Sequence, residues 1–196
     1  LSKLRSKILN CLSSNKKALL KKGSINLVNF MNSKKYNNLI FLNYSPELEK
    51  FLFWYQQLIA ESLGKSNKGF LPVISNAPKD HHSLLQLYLD GPKDKIFNIF
   101  SVKKNSIEEI KIYNKTKITS FLNKKKISNV KNVQNKSLVK SFEKKNIPFR
   151  EFKIKRLNEE TLGELFSFFM IETVIVGKML GINPFNQPAV EQVKVL

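Results

Sequence analysis

Apolar residues recur along much of this chain at the three- and four-residue spacing that is typical of amphipathic helices. Two segments near the start, Leu4–Leu12 and Lys16–Met31, follow this spacing and are predicted to be helical. Gly23 marks either a break or a weak turn in the second segment, because glycine is a poor helix former. The first part of the chain is therefore predicted to be helical.

A stronger helix signal begins at Ser45. Ser45 is predicted to be the N-cap, Pro46 occupies the first helical position, and Glu47 places a negative charge in the first turn. The helix is predicted to end at Gly64. Its apolar stripe comprises Leu48, Phe51, Leu52, Tyr55, Leu58 and Ile59. This spacing predicts that one face of the helix packs against a core.

The short continuous apolar run 38–43 predicts a strand that is buried on both faces. Two further strands are predicted at 96–102 and 149–154. Between the first two, residues 70–74 are predicted to form a loop. After Pro78-Lys79-Asp80 a helix is predicted to run through His82, Leu85 and Leu89 until Asp90-Gly91-Pro92 stops it. Because strands alternate with helices, we expect an α/β three-layer sandwich with a mainly parallel sheet and helices on both faces.

The longest apolar run, Leu162–Leu180, is predicted to be a buried helix. It contains three charged residues, whose burial in a bilayer would cost several kcal/mol, so a membrane span is not favoured. These residues are Glu164, Glu172 and Lys178. The segment 103–145 is rich in Lys, Asn and Ser and shows only weak helical patterns at 118–122 and 137–142, so its structure is not predicted.

Composition and charge narrow the classes of function. With 196 residues and 42% hydrophobic residues, the chain is expected to form a single domain, 1–196. The net charge of +19 would suit nucleic acid or an anionic membrane, but the charge comes from lysines spread over nearly every segment. Arginine, which contacts phosphates and guanine through two bonds, is present only as Arg5, Arg150 and Arg156. Neither a nucleic-acid partner nor a membrane is therefore expected.

The single cysteine, Cys11, excludes an internal disulfide and is typical of a reducing compartment, so we expect a cytoplasmic protein. No secretory leader pattern is found at the start of the sequence. The sequence begins at Leu1 without an initiator Met, and its last helical pattern continues to Leu196. We therefore expect the chain to be a fragment of a longer protein.

Polar side chains border the core stripe of the helix that ends at Gly64. Trp54, Gln57 and Glu61 have the spacing i, i+3 and i+7, which places them on one face of a helix. Glu61 lies near the helix C-terminus, where the helix dipole disfavours a carboxylate by a few tenths of a kcal/mol to about 1 kcal/mol. Two interpretations stay open from the residues alone: a solvated Glu61 that pairs with Lys65, or a functional carboxylate.

Two further segments carry candidate chemistry. His81 and His82 follow Asp80, the predicted N-cap, and a neutral imidazole in the first turn of a helix could accept a proton. Adjacent residues point apart on a helix, so the pair is not expected to bind zinc; a helix-capping role is equally compatible. In "NPFNQPAVEQVK", a helix that begins at Pro188 would align Gln187, Glu191 and Lys194 on one face, although these could form only a surface pair.

Three runs together resemble a known enzyme family. "FLFWYQQLIAESLGK", "DHHSLLQLYLDGPKD" and "GKMLGINPFNQPAVEQVK", in this order, closely resemble the C-terminal part of glucose-6-phosphate isomerase, over about residues 53–92 and 157–196. The resemblance implies a sugar-isomerase, flavodoxin-like domain of a two-domain, dimeric enzyme. Such enzymes need no cofactor or metal and act in glycolysis and gluconeogenesis.

The resemblance also implies roles for individual residues. Glu61 corresponds to the base that moves a proton between C1 and C2 of glucose 6-phosphate and fructose 6-phosphate through a cis-enediol(ate). His82 corresponds to the ring-opening histidine, which the family takes from the partner subunit, and Lys194 to the lysine that assists ring opening. Gln57 and Gln187 correspond to glutamines that line the sugar-phosphate pocket.

The sequence departs from the family pattern in ways that affect function. The family's Gly-Gly-Arg segment, whose arginine stabilises the intermediate, and its Ser/Thr-rich phosphate loops are absent from these 196 residues. Asn186 and Ala189 replace the commoner Asp and Gly. We therefore expect an isomerase-derived domain that is inactive by itself. The alternative is a non-catalytic sugar-phosphate-binding regulatory domain.

Overall fold

The structure is a computed structural model that describes residue 6 and residues 15–104, 110–113, 116–117 and 119–195. The predicted helix Leu4–Leu12, with Cys11, lies outside the described residues apart from Ser6. Ile118, the first residue of a weak helical pattern, also lies outside them.

The described residues form a parallel sheet with helices on both sides. In chain order the elements are α1 (Asn15–Asn32), β1 (Asn38–Asn43), a 3₁₀ turn (Pro46–Leu48), α2 (Glu49–Leu63), β2 (Leu71–Asn76), α3 (Lys79–Asp90), β3 (Lys95–Lys104), a second 3₁₀ turn (Ser120–Leu122), α4 (Ile127–Lys144), β4 (Phe149–Arg156), α5 (Glu159–Met179) and α6 (Pro188–Val195). The strand order is β2-β1-β3-β4, and each pair of neighbours is parallel. The predicted α/β fold is confirmed, and this order matches the first four strands of a flavodoxin-like sheet.

Side chains that alternate along the strands pack into two separate hydrophobic cores, one on each face of the sheet. Leu39 and Phe41 of β1 pack on the face covered by α1, α2 and α5, while Ile40 and Leu42 pack on the face covered by α3 and α4. All four side chains are buried, because a strand with helices on both sides has no solvated face. The helices α2 and α3 therefore lie on opposite faces of the sheet.

Strand β2 was predicted to be a loop, and that prediction is wrong. Pro72 lies within the run and lacks an N–H group to donate to a neighbouring strand, which argues against a central strand. In the structure β2 is an edge strand that pairs only with β1, with Pro72 opposite Leu39. An edge strand tolerates proline because one of its sides needs no partner.

Of the two predicted N-caps, Ser45 is confirmed in position and Asp80 is wrong. Ser45 is the N-cap residue of the first 3₁₀ turn and is followed by Pro46, but its hydroxyl makes no capping hydrogen bond. The hydroxyl accepts a hydrogen bond from the Val102 N–H at 2.9 Å and so joins the ends of β1 and β3. Asp80 lies inside α3, which begins at Lys79, and its carboxylate accepts a hydrogen bond from the Asn76 N–H at 2.7 Å. Both side chains stabilise contacts between segments instead of capping their own helices.

Gly23 does not interrupt its helix, since α1 continues from Asn15 to Asn32. A Cβ atom at position 23 would lie 2.5 Å from Glu172 Oε1 and 2.9 Å from Arg150 Nη1. Glycine is therefore required by close packing of α1 on this pair of charged side chains.

The long apolar segment near the end of the chain is α5, and its Phe169 and Val176 are fully buried in the core beneath α2. Across the part of the chain that the structure describes, no helix is both long enough and apolar enough to cross a membrane.

Candidate active site

The carboxylate of Glu61 is held by two glutamines from distant parts of the chain. Gln57 Nε2 donates to Glu61 Oε1 at 2.9 Å from one turn earlier in α2. Gln187 Nε2 donates to Glu61 Oε2 at 2.8 Å from the residue that precedes α6. An ionised carboxylate only accepts hydrogen bonds, so the amide nitrogens must face it. The structure thus brings together three of the five predicted site residues.

The fold explains why these segments meet. Each helix that follows a strand runs back from the carboxyl end of the sheet towards its amino end. The C-terminal ends of α2 and α5 therefore both lie at the amino end of the sheet. Gln56 Nε2 of α2 donates to the Pro72 carbonyl, near the start of β2, at 2.8 Å. Glu61 lies beyond this point, and α5 ends at Met179, shortly before Gln187. The site is therefore at the amino end of the sheet.

The segment between α5 and α6 has a defined shape. The Ile182 N–H donates to the Gly177 carbonyl at 3.0 Å, and the Asn183 Oδ1 atom accepts from the Phe185 N–H at 3.0 Å. A Cβ atom at Gly177 would lie 3.1 Å from the Cβ atom of Pro184, so a larger residue there would push the segment away. The backbone in front of Gln187 is thus fixed by its own residues.

The surroundings of Glu61 are only partly enclosed. Glu61 is half-buried and Gln57 is exposed, which leaves the carboxylate accessible from solvent. Lys65, one turn further along, donates to the Asn183 carbonyl at 2.8 Å. Desolvation lowers the pKa of Lys65, and the nearby Glu61 carboxylate partly opposes this shift. In the structure, Glu61 is hydrogen-bonded to Gln57 and Gln187, and Lys65 is hydrogen-bonded to Asn183. The interpretation of Glu61 as a solvated residue that pairs with Lys65 is therefore not supported.

His82 is not near Glu61 in this chain. It is an exposed residue of α3, on the other face of the sheet from α2. Its neighbour His81 lies next to Tyr44, which follows β1, with Tyr44 Oη and His81 Nε2 at 2.8 Å. This contact places the start of α3 at the carboxyl end of the sheet, about 15–20 Å along the strands from the Glu61 end. Glu61 and His82 of one chain therefore cannot contact the same small substrate.

The two histidines differ in their environments. His81 is half-buried beside Tyr44, and desolvation lowers its pKa, with Asp80 opposing the shift. Its imidazole is therefore neutral at neutral pH and acts as a structural hydrogen-bonding partner. His82 is exposed and is the histidine that is accessible to a partner molecule.

Lys194 lies on α6, as predicted, since that helix begins at Pro188. Its side chain lies outside the described part of the structure.

Sequence reasoning missed an ion pair between the partly buried Arg150 and the buried Glu172. Arg150 of β4 donates to Glu172 of α5 through two nitrogens, at 2.6 and 3.3 Å, and its Nε donates to Asn98 Oδ1 at 3.0 Å. Glu172 is 2% exposed. Burial disfavours the Arg150 charge, but the interactions with Glu172 and Tyr55 together outweigh burial and raise the pKa of the guanidinium. The only sign of this ion pair in the sequence is that Glu172 lies in the middle of an apolar helix.

Comparisons with known proteins support the resemblance. The chain is 37% identical over 152 residues to a probable glucose-6-phosphate isomerase of Methanococcus maripaludis, covering 78% of this chain and 34% of the relative. It is 31% identical to the glucose-6-phosphate isomerase of Methanocaldococcus jannaschii, over 86% of this chain and 42% of the relative. For that of Mycoplasmopsis synoviae the identity is 38%, over 82% of this chain and 38% of the relative.

Solved structures support the fold. A hypothetical protein of Thermus thermophilus superimposes with a TM-score of 0.86 at 23% identity, over 99% of this chain and 48% of the other. A glucose-6-phosphate isomerase of Chlamydia trachomatis superimposes with a TM-score of 0.66 at 19% identity, over 81% of this chain and 33% of the other. No family model matches the chain. The resemblance to glucose-6-phosphate isomerase is confirmed, and the chain spans between a third and a half of the length of the three curated relatives named above.

Proposed function

We propose that this chain, which is similar to part of glucose-6-phosphate isomerases, carries the general base of an aldose–ketose isomerase. The observation that supports this most directly is the pair of hydrogen bonds from Gln57 and Gln187 to the two oxygens of Glu61. The bonds orient a carboxylate that stays accessible to a substrate. The alternative, a regulatory domain that only binds a sugar phosphate, has no need for an oriented and accessible base.

In the proposed reaction Glu61 removes a proton from one of the adjacent carbons C1 and C2 and returns it to the other. One carboxylate suffices if it lies on one face of the planar cis-enediol(ate), from which it can reach both carbons. Gln57 and Gln187 hold the carboxylate, and their remaining amide groups can bind sugar hydroxyls without adding charge. Together with the transfer of a proton between the hydroxyl oxygens O1 and O2 of the enediol(ate), this step interconverts glucose 6-phosphate and fructose 6-phosphate. Lys194 and a histidine assist ring opening, in which a proton is delivered to the ring oxygen and another is removed from the anomeric hydroxyl.

We further propose that the complete site needs a second copy of the protein. His82 lies at the opposite end and face of the sheet from Glu61, so it would serve the site of a partner subunit. A homodimer in which each subunit supplies Glu61 to one site and His82 to the other satisfies this geometry. Since the chain covers only part of its relatives, we also propose that the 196 residues alone do not catalyse turnover.

The test is an isomerase assay on the full-length polypeptide that contains this chain. Replacing Glu61 by Gln keeps the size of the side chain and one acceptor oxygen, but it removes the base and turns the second acceptor into an NH2 donor. We expect the rate of conversion of fructose 6-phosphate to glucose 6-phosphate, measured with a coupled dehydrogenase, to fall by about 10²–10⁴-fold or more. Glu47→Gln, which changes an exposed carboxylate just before α2, is the matched control and should keep wild-type activity.

A normal rate in a correctly folded Glu61→Gln variant would refute the assignment of the base. A wild-type protein that binds the sugar phosphate but does not convert it would favour the regulatory alternative.

A further inference from the structure

Two lysines after α2 connect the loop that follows Glu61 to the segment that leads to Gln187. Lys68 Nζ donates to the Leu180 carbonyl at 2.6 Å, and Lys65 Nζ donates to the Asn183 carbonyl at 2.8 Å. The partners are more than 110 residues apart in sequence. These hydrogen bonds are therefore tertiary contacts between the two halves of the site.

The carbonyl groups that the lysines contact favour a positive charge. Leu180 is the C-cap of α5, where carbonyl groups lack intrahelical partners and the helix dipole is negative. A lysine ammonium can donate to such a carbonyl and also neutralise the dipole. Lys68 thus stabilises the end of α5, while Lys65 holds the backbone three residues further on.

The backbone of residues 65–68 forms a tight turn that brings Lys65 and Lys68 close together. The Lys68 N–H donates to the Lys65 carbonyl at 2.9 Å, which closes a four-residue turn. Its central residues, Ser66 and Asn67, have φ angles of +52° and +57°. Left-handed backbone is unfavourable for a serine, and such conformations persist where surrounding contacts hold them, often at functional sites.

The held segment leads directly to the site. Asn183 is four residues before Gln187, and Lys65 is one helical turn after Glu61. The Lys65 bond to Asn183 therefore lies beside the Gln187 bond to Glu61, and both join the end of α2 to the same segment. Movement of this segment away from α2 would break both bonds together.

We propose that Lys65 and Lys68 are positioning residues, which fix the segment 180–187 so that Gln187 stays in contact with Glu61. The effect on catalysis rests on the isomerase function proposed above, whereas the effect on the position of the segment does not. Neither lysine needs to touch the substrate.

The first experiment measures the segment without any substrate. Lys65→Met and Lys68→Met keep the length and apolar stem of the side chain but remove the ammonium group. In the 196-residue chain we expect the amides of Ile182 and Phe185, followed by NMR, to exchange with solvent about tenfold faster than in wild type, as loss of a charged hydrogen bond would cause.

The Lys→Arg variants at both positions retain donors and should restore slow exchange. Lys21→Met, at an exposed lysine of α1 away from the Glu61 site, is the control for loss of a charge. Its Ile182 and Phe185 amides should exchange at the wild-type rate. Equal exchange in Lys65→Met, Lys68→Met and Lys21→Met would overturn the proposal.

The second experiment measures kinetics in the full-length polypeptide. We expect kcat/KM for fructose 6-phosphate to fall about tenfold in the Met variants and to recover in the Arg variants, with Lys21→Met unchanged. Faster exchange with unaltered kcat/KM would overturn the positioning role and leave the isomerase function standing. If the wild-type polypeptide has no isomerase activity, the proposed function fails, and the exchange data still decide whether the two lysines hold the segment.

Discussion

Glu61 and Gln187, 126 residues apart in sequence, are joined by a 2.8 Å hydrogen bond between Gln187 Nε2 and Glu61 Oε2. With the bond from Gln57, this contact leaves each carboxylate oxygen with an amide donor. The arrangement fixes the direction of the carboxylate before a substrate arrives. Preorganisation of this kind lowers the cost of reaching the transition state.

Removing the Gln187 donor should therefore weaken catalysis. In the full-length polypeptide, Gln187→Leu keeps a similar volume and removes both the donor and the acceptor. We expect kcat/KM to fall about tenfold or more, since a hydrogen bond to a charged group contributes about 1.5–3 kcal/mol. Gln192→Leu, at an exposed glutamine of α6, is the control and should have little effect. Equal rates for the two variants would contradict a role for Gln187 at the base.

The 196-residue chain should bind sugar phosphates weakly or not at all. Its described site offers Glu61 and two amides, and the ammonium groups of the neighbouring Lys65 and Lys68 already donate to backbone carbonyls instead of being directed at a phosphate. We expect no measurable heat when glucose 6-phosphate or fructose 6-phosphate is titrated into the chain in a calorimeter. Tight binding that is lost when glucose replaces glucose 6-phosphate would contradict this prediction.

Mixed dimers should reveal whether His82 acts in the partner's site. Full-length Glu61→Gln and His82→Gln are each expected to be nearly inactive. In a mixed dimer one site contains both substitutions and the other contains neither. Unfolding and refolding an equal mixture should therefore recover roughly a quarter of the wild-type activity, because half of the dimers are mixed and each has one intact site.

The refolded single variants, treated in the same way, are the control. If the mixture recovers nothing beyond them, Glu61 and His82 do not act together across a subunit interface.

Loss of Glu172 should destabilise the fold. Glu172→Leu leaves the partly buried Arg150 charge without its carboxylate, with only the Asn98 amide oxygen as a partner. We expect this to lower the free energy of unfolding by about 3 kcal/mol. Replacing both residues, as Arg150→Met with Glu172→Leu, removes the uncompensated charge and should regain most of that loss. Urea denaturation followed by circular dichroism measures both values. A double variant as unstable as Glu172→Leu would show that apolar packing, not the unpaired charge, causes the loss.

Much of the fold could be predicted from the sequence, because local patterns determine it. The continuous apolar run 38–43 is β1, and the stripe that begins at Leu48 is the buried face of α2. Strand β2 was missed, since Pro72 is unfavourable in a strand unless the strand lies at an edge, and edge position is a property of the assembled sheet. Gly23 was interpreted as a break because its actual reason, close contact with Glu172, comes from another helix.

For the site, the sequence by itself determined which residues are candidates. Helical spacing placed Gln57 and Glu61 on one face of α2, and the resemblance to a known family singled out Gln187, His82 and Lys194. Only the tertiary structure decided which of them meet. Gln187 contacts Glu61 because α2 and α5 both end at the amino end of the sheet. His82 is far from both because α3 begins at the carboxyl end of the sheet and lies on its opposite face. Spacing along a chain fixes contacts within one helix, but contacts between helices depend on how the strands that connect them are ordered.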